Sequence, residues 1–132
     1  IVLPAETGVV TKEAYDQFDA SPTTPEPYEQ LSALLRTAGQ DAASDKAAAD
    51  KQLIQQVAKL LFNNLAPAAK SLKPQVAEVE EWLKAQSGVL GAQVSGSGSS
   101  SFALCESQDA VDAIAAAAQA KGWRGFSTTC KL

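Results

Sequence analysis

The chain of 132 residues contains no histidine. Histidine is the commonest general base and the commonest metal ligand in proteins, so its absence excludes His-dependent catalytic triads and His-ligated zinc sites. No apolar run approaches the roughly eighteen residues that a membrane-spanning helix needs, and the N-terminus lacks the pattern of a signal peptide. We therefore expect a soluble, cytoplasmic protein with no membrane partner.

Positive charge is also scarce in this chain. Its 11 lysines and arginines are outnumbered by 15 acidic residues, which gives a net charge of −4. The basic residues are scattered along the sequence instead of being gathered into a patch. Binding of nucleic acid through neutralisation of its phosphates is therefore not expected.

Cysteine occurs only at Cys105 and Cys130, and this spacing is not that of a metal-binding knuckle, so no metal site is predicted. Both residues lie in apolar, strand-like runs, where a free cysteine behaves as a small buried hydrophobe. We predict two free thiols, with a disulfide between them as the alternative. Neither neighbourhood supplies the base and the positive charge that a reactive thiol needs.

The length and apolar content predict a single domain over residues 1–132. Its first residues, 1–4, resemble a strand already under way, which indicates a piece of a longer protein. Apolar spacing and capping residues predict the helices, which cover residues 11–18, 28–38, 53–61 and 65–72, a stretch from Pro74 to Gly88, and one from Ser107 to Gly122. Asn63-Asn64 is predicted to end the helix over 53–61. Residues 41–50 are predicted to be an exposed connection or the solvated start of a helix.

Strands are predicted over residues 1–4, 89–94, 102–105 and 123–130. With helices in the first crossover, a hairpin and a last helix, they describe a split β-α-β arrangement. The predicted fold class is therefore α+β: a ferredoxin-like, four-stranded antiparallel sheet with helices packed on one face and extra helices in the first crossover. The third and fourth strands are not neighbours in this order, which agrees with two free thiols.

The predicted hairpin carries a loop of small residues, Ser95-Gly96-Ser97-Gly98-Ser99-Ser100-Ser101. Such a composition is typical of flexible linkers, but the apolar runs on both sides indicate a loop between paired strands. Small side chains leave the backbone amides uncovered, so this loop could approach a phosphate or another backbone closely. The alternative is a tight hairpin whose glycines only satisfy a positive φ.

Several stretches of the chain, taken in order, carry a resemblance to a known family. They are Gly8-Val9-x-Thr11-x-x-Ala14-Tyr15, Asn63-Asn64-Leu65 with Pro67-Ala68, Leu72-Lys73-Pro74, and Gly88-x-Leu90-Gly91-Ala92 leading into Ser95-Gly96-Ser97-Gly98. Over nearly its whole length the chain resembles the C-terminal domain of the 4-diphosphocytidyl-2-C-methyl-D-erythritol kinases. These belong to the galactokinase, homoserine, mevalonate and phosphomevalonate kinase superfamily, whose third motif the Gly/Ser loop resembles.

The resemblance implies a two-domain, ATP-dependent kinase that phosphorylates the 2-hydroxyl of 4-diphosphocytidyl-2-C-methyl-D-erythritol in non-mevalonate isoprenoid (terpenoid) biosynthesis. The full-length enzyme would use ATP and Mg²⁺, and neither of them is expected to bind to this fragment. In the family, the Lys and Asp that handle the hydroxyl and the main ATP-binding loop lie in the N-terminal domain. No catalytic residue is therefore expected in this chain, which we expect to be inactive alone.

The resemblance also implies two groups of site residues. Ser95, Gly96, Ser97, Gly98, Ser99 and Ser100 would support the ATP-binding loop of the other domain. The family usually has Pro and Thr where Ser99 and Ser100 stand, and the loss of that proline predicts a more mobile loop. Thr11 and Tyr15 match positions beside the cytidine base of the substrate, where an aromatic ring packs on the base. The alternative is that Tyr15 packs with Phe18 under the core.

Other conspicuous residues have simpler interpretations. Glu78, Glu80 and Glu81 are predicted to form a solvated helix face, and Trp82 and Trp123 to be core anchors. A second functional class also stays open: a free-standing ferredoxin-like module that binds a small anionic ligand or a partner protein. An ATP-binding domain upstream in the same reading frame would favour the kinase interpretation over the binding module. The sequence predicts no oligomeric state.

Overall fold

The computed structural model describes residues 2–4, 8–24, 28–38 and 46–128. This part of the chain forms six helices and three strands. In order they are β1 (Val2–Pro4), α1 (Thr11–Ala20), α2 (Glu29–Ala38), α3 (Lys46–Lys59), α4 (Ala66–Leu72), α5 (Pro74–Lys84), β2 (Val89–Val94), β3 (Ser100–Cys105) and α6 (Gln108–Ala120). The domain is therefore of the α+β class, as the sequence predicts. Among the residues described, no helix has the length and apolar character needed to cross a membrane.

The three strands form one antiparallel sheet in the order β1-β3-β2. Strands β2 and β3 form the predicted hairpin, with Ala92 opposite Ala103 and Val94 opposite Ser101. Strand β1 pairs with the other edge of β3, where Val2 lies opposite Phe102. This order is consistent with the first three strands of a split β-α-β arrangement.

The main core lies between one face of the sheet and two helices. Residues on β2 and β3 pack against α5 and α6, and the buried members of this cluster are Val79, Leu83, Ala92, Ala103, Ile114 and Ala118. Trp82 and Trp123 pack against the same cluster as an edge-to-face pair with ring centroids 5.2 Å apart. Both tryptophans are thus core anchors, as predicted, and such pairs stabilise a fold beyond the area they bury.

Most element boundaries agree with the sequence prediction, and the differences have local causes. Helix α5 begins at Pro74, and α6 is capped by Ser107, whose Oγ accepts a 3.2 Å hydrogen bond from the Ala110 amide. Helix α3 ends at Lys59, before the asparagines expected to end it. Strand β3 begins at Ser100, two residues early, because the loop serines continue the pairing with β2 and β1.

The C-terminal segment shows less regular structure than predicted. Of the predicted strand over 123–130, the structure describes residues up to 128, and within them only Phe126 forms an isolated β-bridge. A four-stranded sheet therefore remains a prediction. Cys130 lies outside the described residues, whereas Cys105 is a free, partly buried thiol. Burial raises the pKa of the Cys105 thiol, which keeps it protonated and unreactive near neutral pH.

One prediction about surface charge is wrong. Glu80 is only 1% exposed, between α4 and α5, although Glu78 and Glu81 are solvated as predicted. Its carboxylate oxygens lie 2.5 Å from the Nζ atoms of Lys70 and Lys84. Burial raises the pKa of the Glu80 carboxyl, but hydrogen bonds and charge from the two lysines outweigh it and hold that pKa below its usual value. Glu80 therefore stays ionised and links α4 to α5.

Substitution Glu80→Gln should lower the free energy of unfolding by roughly 1–3 kcal/mol at pH 7, because two lysines lose a charged partner. The native pKa of this carboxyl is lowered, so its stabilisation is present above the unfolded value near 4.5 and is lost as the pH falls through the native value. The difference between wild type and variant should therefore shrink below pH 4.5. Urea unfolding from pH 7 to pH 3 measures it, with Glu81→Gln as the exposed control; a pH-independent difference would contradict the prediction.

Candidate functional site

The Gly/Ser loop, Ser95–Ser100, has a defined conformation between β2 and β3. The Ser95 amide donates to the Ser100 carbonyl at 2.8 Å, and the Gly98 amide donates to the Ser95 carbonyl at 3.0 Å. Gly96 and Gly98 have φ values of +57° and +83°, and the Gly98–Ser99 peptide bond is cis. The two glycines occupy the left-handed region that other residues rarely adopt, so the loop is a built turn rather than a linker.

Gly98 also lies against the rest of the domain. A Cβ atom at this position would be 3.3 Å from both Ala69 Cβ and Val9 Cγ2. Beneath it lies a second apolar cluster, made of Ala66, Ala69, Val76 and Val94 with Val9 packed against it. The loop therefore rests on α4 and on the residues that lead into α1.

Asn63, between α3 and α4, holds the entry to the loop. Its Nδ2 donates to the carbonyl of Val94 at 2.9 Å and to that of Gly96 at 2.7 Å. Its Oδ1 accepts a hydrogen bond from the Leu65 amide at 2.9 Å, just before α4. One carboxamide thus uses both donor hydrogens and its acceptor oxygen to join the loop to the start of α4.

Helix α1 contacts the loop through its first residue. Helix α1 has no side-chain cap at Val10, and the Thr11 hydroxyl lies 3.0 Å from the Ser97 hydroxyl, within hydrogen-bond distance. Tyr15 stands one helical turn further on, on the same side of α1 as Thr11. Tyr15 is 52% exposed, so it is not the core residue of the alternative interpretation and its ring is open to a ligand.

Lys12, between these two positions in sequence, is engaged elsewhere. Its Nζ lies 2.6 Å from Asp16 Oδ2 on the exposed flank of α1. The hydrogen bond and the charge of Asp16 raise the pKa of Lys12. Since this ion pair is exposed, it adds little to stability, and it engages the Lys12 ammonium with Asp16.

The loop keeps several donors uncommitted. Within the described part of the chain, the amides of Gly96, Ser97 and Ser99 donate no hydrogen bond, unlike those of Ser95 and Gly98. Backbone amides without bulky side chains in front of them can bind a phosphate or a neighbouring carbonyl. The arrangement can therefore offer neutral hydrogen-bond donors, but it carries no general base.

A small groove of about 100 Å³ lies on the other flank of α1, between α1 and α4. Its lining is uncharged and comprises Gln17, Phe18, Ser21, Thr23, Asn64, Pro67, Ala68 and Ser71. Phe18 thus lines this groove, whereas Tyr15 is not among its lining residues. The groove is separate from the meeting point of Thr11 and Ser97.

The fold brings together three of the stretches singled out in the sequence. Residues before and within the start of α1, the asparagine before α4 and the Gly/Ser loop meet around Gly98. Sequence reasoning missed the role of Asn63, which it placed only at a helix end. It also missed Glu80, although Val76, Val79, Glu80 and Leu83 share the helical spacing of one buried face.

A domain of this α+β architecture, with a glycine-rich hairpin loop seated on two helices, fits one family of kinase domains. Residues 45–123 match the family described as GHMP kinases C terminal, where GHMP stands for galactokinase, homoserine, mevalonate and phosphomevalonate kinase. The match covers more than half of the chain, so the chain belongs to this family.

Several relatives named 4-diphosphocytidyl-2-C-methyl-D-erythritol kinase are similar to this chain, at least two of them over most of its length. The one from Desulfitobacterium hafniense is 34% identical over 116 residues, which are 88% of this chain and 36% of the relative. That from a Nocardioides strain is 35% identical over 117 residues, 88% of this chain and 35% of the relative. A Nostoc relative is 46% identical over 52 residues, 39% of this chain and 16% of the relative. The chain spans about a third of the first and second of these relatives, and the resemblance stated from sequence is confirmed.

Alanine substitutions at the two loop glycines test whether the loop packs on α4. Gly96→Ala should cost roughly 1–2 kcal/mol because of its left-handed φ, since no atom of the described residues lies within 4 Å of the added Cβ. Gly98→Ala should cost a further roughly 1–3 kcal/mol, because its Cβ also presses on Ala69 and Val9. Urea unfolding of both variants measures the difference. Equal destabilisation would show that the loop is not packed on α4.

Proposed function

We propose that this chain is the C-terminal, acceptor-side domain of an ATP-dependent kinase that phosphorylates the 2-hydroxyl of 4-diphosphocytidyl-2-C-methyl-D-erythritol in non-mevalonate isoprenoid biosynthesis. The observation that carries the proposal is the meeting of Thr11, Asn63 and the Gly/Ser loop at one point of the domain. Membership of the GHMP kinase C-terminal family and the names of the similar relatives support it.

The Gly/Ser loop acts as a support for the ATP-binding loop of the other domain. Ser95, Gly96, Ser97, Gly98, Ser99 and Ser100 provide amides and hydroxyls with no charge of their own. Three of these amides have no acceptor within the described residues, so they are available to carbonyls or phosphate oxygens across the cleft. Such preorganised donors bind an anion without having to reorganise when it arrives.

Thr11 and Tyr15 form the acceptor side of the same cleft. The exposed ring of Tyr15 offers a flat apolar surface for the cytosine base, and base stacking on an aromatic ring contributes roughly 1–3 kcal/mol. Thr11 lies between that ring and the loop and contacts the loop through Ser97. The cytidine substrate and ATP would therefore bind next to each other on this domain.

Phosphoryl transfer needs a group to orient the hydroxyl and positive charge on the transferred phosphate. We assign both to the other domain, which would bind ATP with Mg²⁺. Within the described ranges no cluster of His, Cys, Asp and Glu could hold a metal ion. We propose that this domain contributes binding and positioning and that the enzyme is cytoplasmic.

A further part of the proposal concerns the sheet. We propose that the segment after Trp123 adds a fourth strand and completes a ferredoxin-like sheet. The strand order β1-β3-β2 leaves an edge of β1 available, and the isolated bridge at Phe126 supports pairing in this segment. Antiparallel pairing at that edge would cover backbone groups that an edge strand leaves open.

The activity is tested by comparing the 132-residue chain with the two-domain kinase that carries it. The two-domain protein should transfer phosphate from ATP to the 2-hydroxyl of the cytidine substrate, and the chain alone should not. Phosphorylation is followed by ³¹P NMR or by coupled release of ADP. Transfer by the chain alone, or a two-domain protein that phosphorylates only other alcohols, would contradict the proposal.

Substitution Tyr15→Ala in the two-domain kinase should raise KM for the cytidine substrate about tenfold, because it removes the stacking surface. KM for ATP should change less than about twofold. Tyr15→Phe, which keeps the ring, and Tyr28→Ala, which removes another exposed ring, are the matched controls and should behave as wild type. An unchanged KM for the cytidine substrate in Tyr15→Ala would remove Tyr15 from the acceptor site.

A further inference from the structure

We infer that Asn63 is the positioning residue that sets the Gly/Ser loop for the nucleotide; this inference rests on the proposed function. Asn63 is distant from the loop in sequence, yet its carboxamide binds the last carbonyl of β2 at Val94 and the loop carbonyl of Gly96. These two carbonyls flank Ser95, where the chain leaves the strand. The entry to the loop is therefore fixed from outside the hairpin.

The same side chain also fixes the surface on which the loop rests. Asn63 Oδ1 accepts from the Leu65 amide, and the Asn63 carbonyl accepts from the Ala66 amide at 3.0 Å. These bonds define the start of α4, which carries Ala69 beneath Gly98. Asn63 therefore sets both the entry of the loop and the helix that supports it.

This arrangement explains why the remaining amides are available. Two carbonyls of the hairpin, at Val94 and Gly96, point to Asn63, so the peptide groups that join Val94 to Ser95 and Gly96 to Ser97 have a set orientation. The amides of Gly96, Ser97 and Ser99 are left without acceptors in the described part of the domain. Without the Asn63 carboxamide the loop would lose this orientation, and ordering it when the nucleotide binds would reduce the binding free energy.

Only a carboxamide meets all these requirements. Asn63→Asp keeps the acceptor for the Leu65 amide but places a second oxygen against the carbonyls of Val94 and Gly96. Asn63→Ser also keeps a local acceptor, since serine hydroxyls make similar short turns, but it is too short to reach the loop. Asn64→Asp, one residue later, adds the same charge without touching the loop and is the matched control.

The first measurement is steady-state kinetics of the two-domain kinase. Asn63→Asp and Asn63→Ser should each lower kcat/KM for ATP about tenfold, the size expected from loss of hydrogen bonds to a preorganised loop. KM for the cytidine substrate should stay within about twofold of wild type, as should all constants of Asn64→Asp. The inference is overturned if the Asn63 variants have the same kinetic constants as Asn64→Asp. It is also overturned if kcat/KM falls equally for ATP and for the cytidine substrate.

The second measurement is amide hydrogen exchange on the same proteins, which needs no activity. Exchange of the bonded Ser95 and Gly98 amides should accelerate about tenfold in both Asn63 variants, whereas the Leu83 amide in α5 should report an unchanged core. Unchanged exchange in the loop would overturn the inference, and general loss of protection in both variants would overturn it by showing that Asn63 serves the fold as a whole. Faster loop exchange in a protein whose wild type transfers no phosphate would contradict only the proposed function.

Discussion

The close approach of Gly98 to α4 is the constraint on which the candidate site depends. Because no side chain stands at this position, the hairpin can rest on Ala69 and Val9 so closely that an added Cβ would lie only 3.3 Å from each of them. The start of α1 and the hairpin are thereby brought to the same place, and the Thr11 and Ser97 hydroxyls come within hydrogen-bond distance. Protein interiors are densely packed, so the loop could not shift from its position on Ala69 and Val9 without moving neighbouring residues.

The ion pairs of the buried Glu80 carboxylate extend this constraint to the sheet. Lys70 belongs to α4, Glu80 and Lys84 belong to α5, and α5 packs directly on β2 and β3. Helix α4 is thus held to the core by charge on one side while it supports the loop on the other. Buried carboxylates are stable only when their partners are well placed, so this contact specifies how α4 lies on α5.

Local patterns in the sequence predicted most of the fold. The prolines and glycines that bound α5, the Ser107 cap and the apolar run of β2 act over a few residues, and the elements they predict are confirmed. Asn63 and Glu80 could not be assigned in this way, because their partners are distant in sequence or on another helix. Asn63 reads as a helix stop and Glu80 as one of several surface acids. The role of Tyr15 came from family resemblance, and the structure adds its exposure.

Because the loop depends on residues outside the hairpin, its Ser-Gly-Ser-Gly sequence alone does not identify the same conformation in another protein. Runs of serine and glycine are common in linkers, and a motif search for Ser-Gly-Ser-Gly alone would collect them. In this domain the run is defined by an asparagine 33 residues before Gly96 and by the small Ala69 beneath Gly98. A hairpin transplanted without these two partners would keep the sequence of the motif and its internal hydrogen bonds but would lose the contacts that hold the loop on the domain.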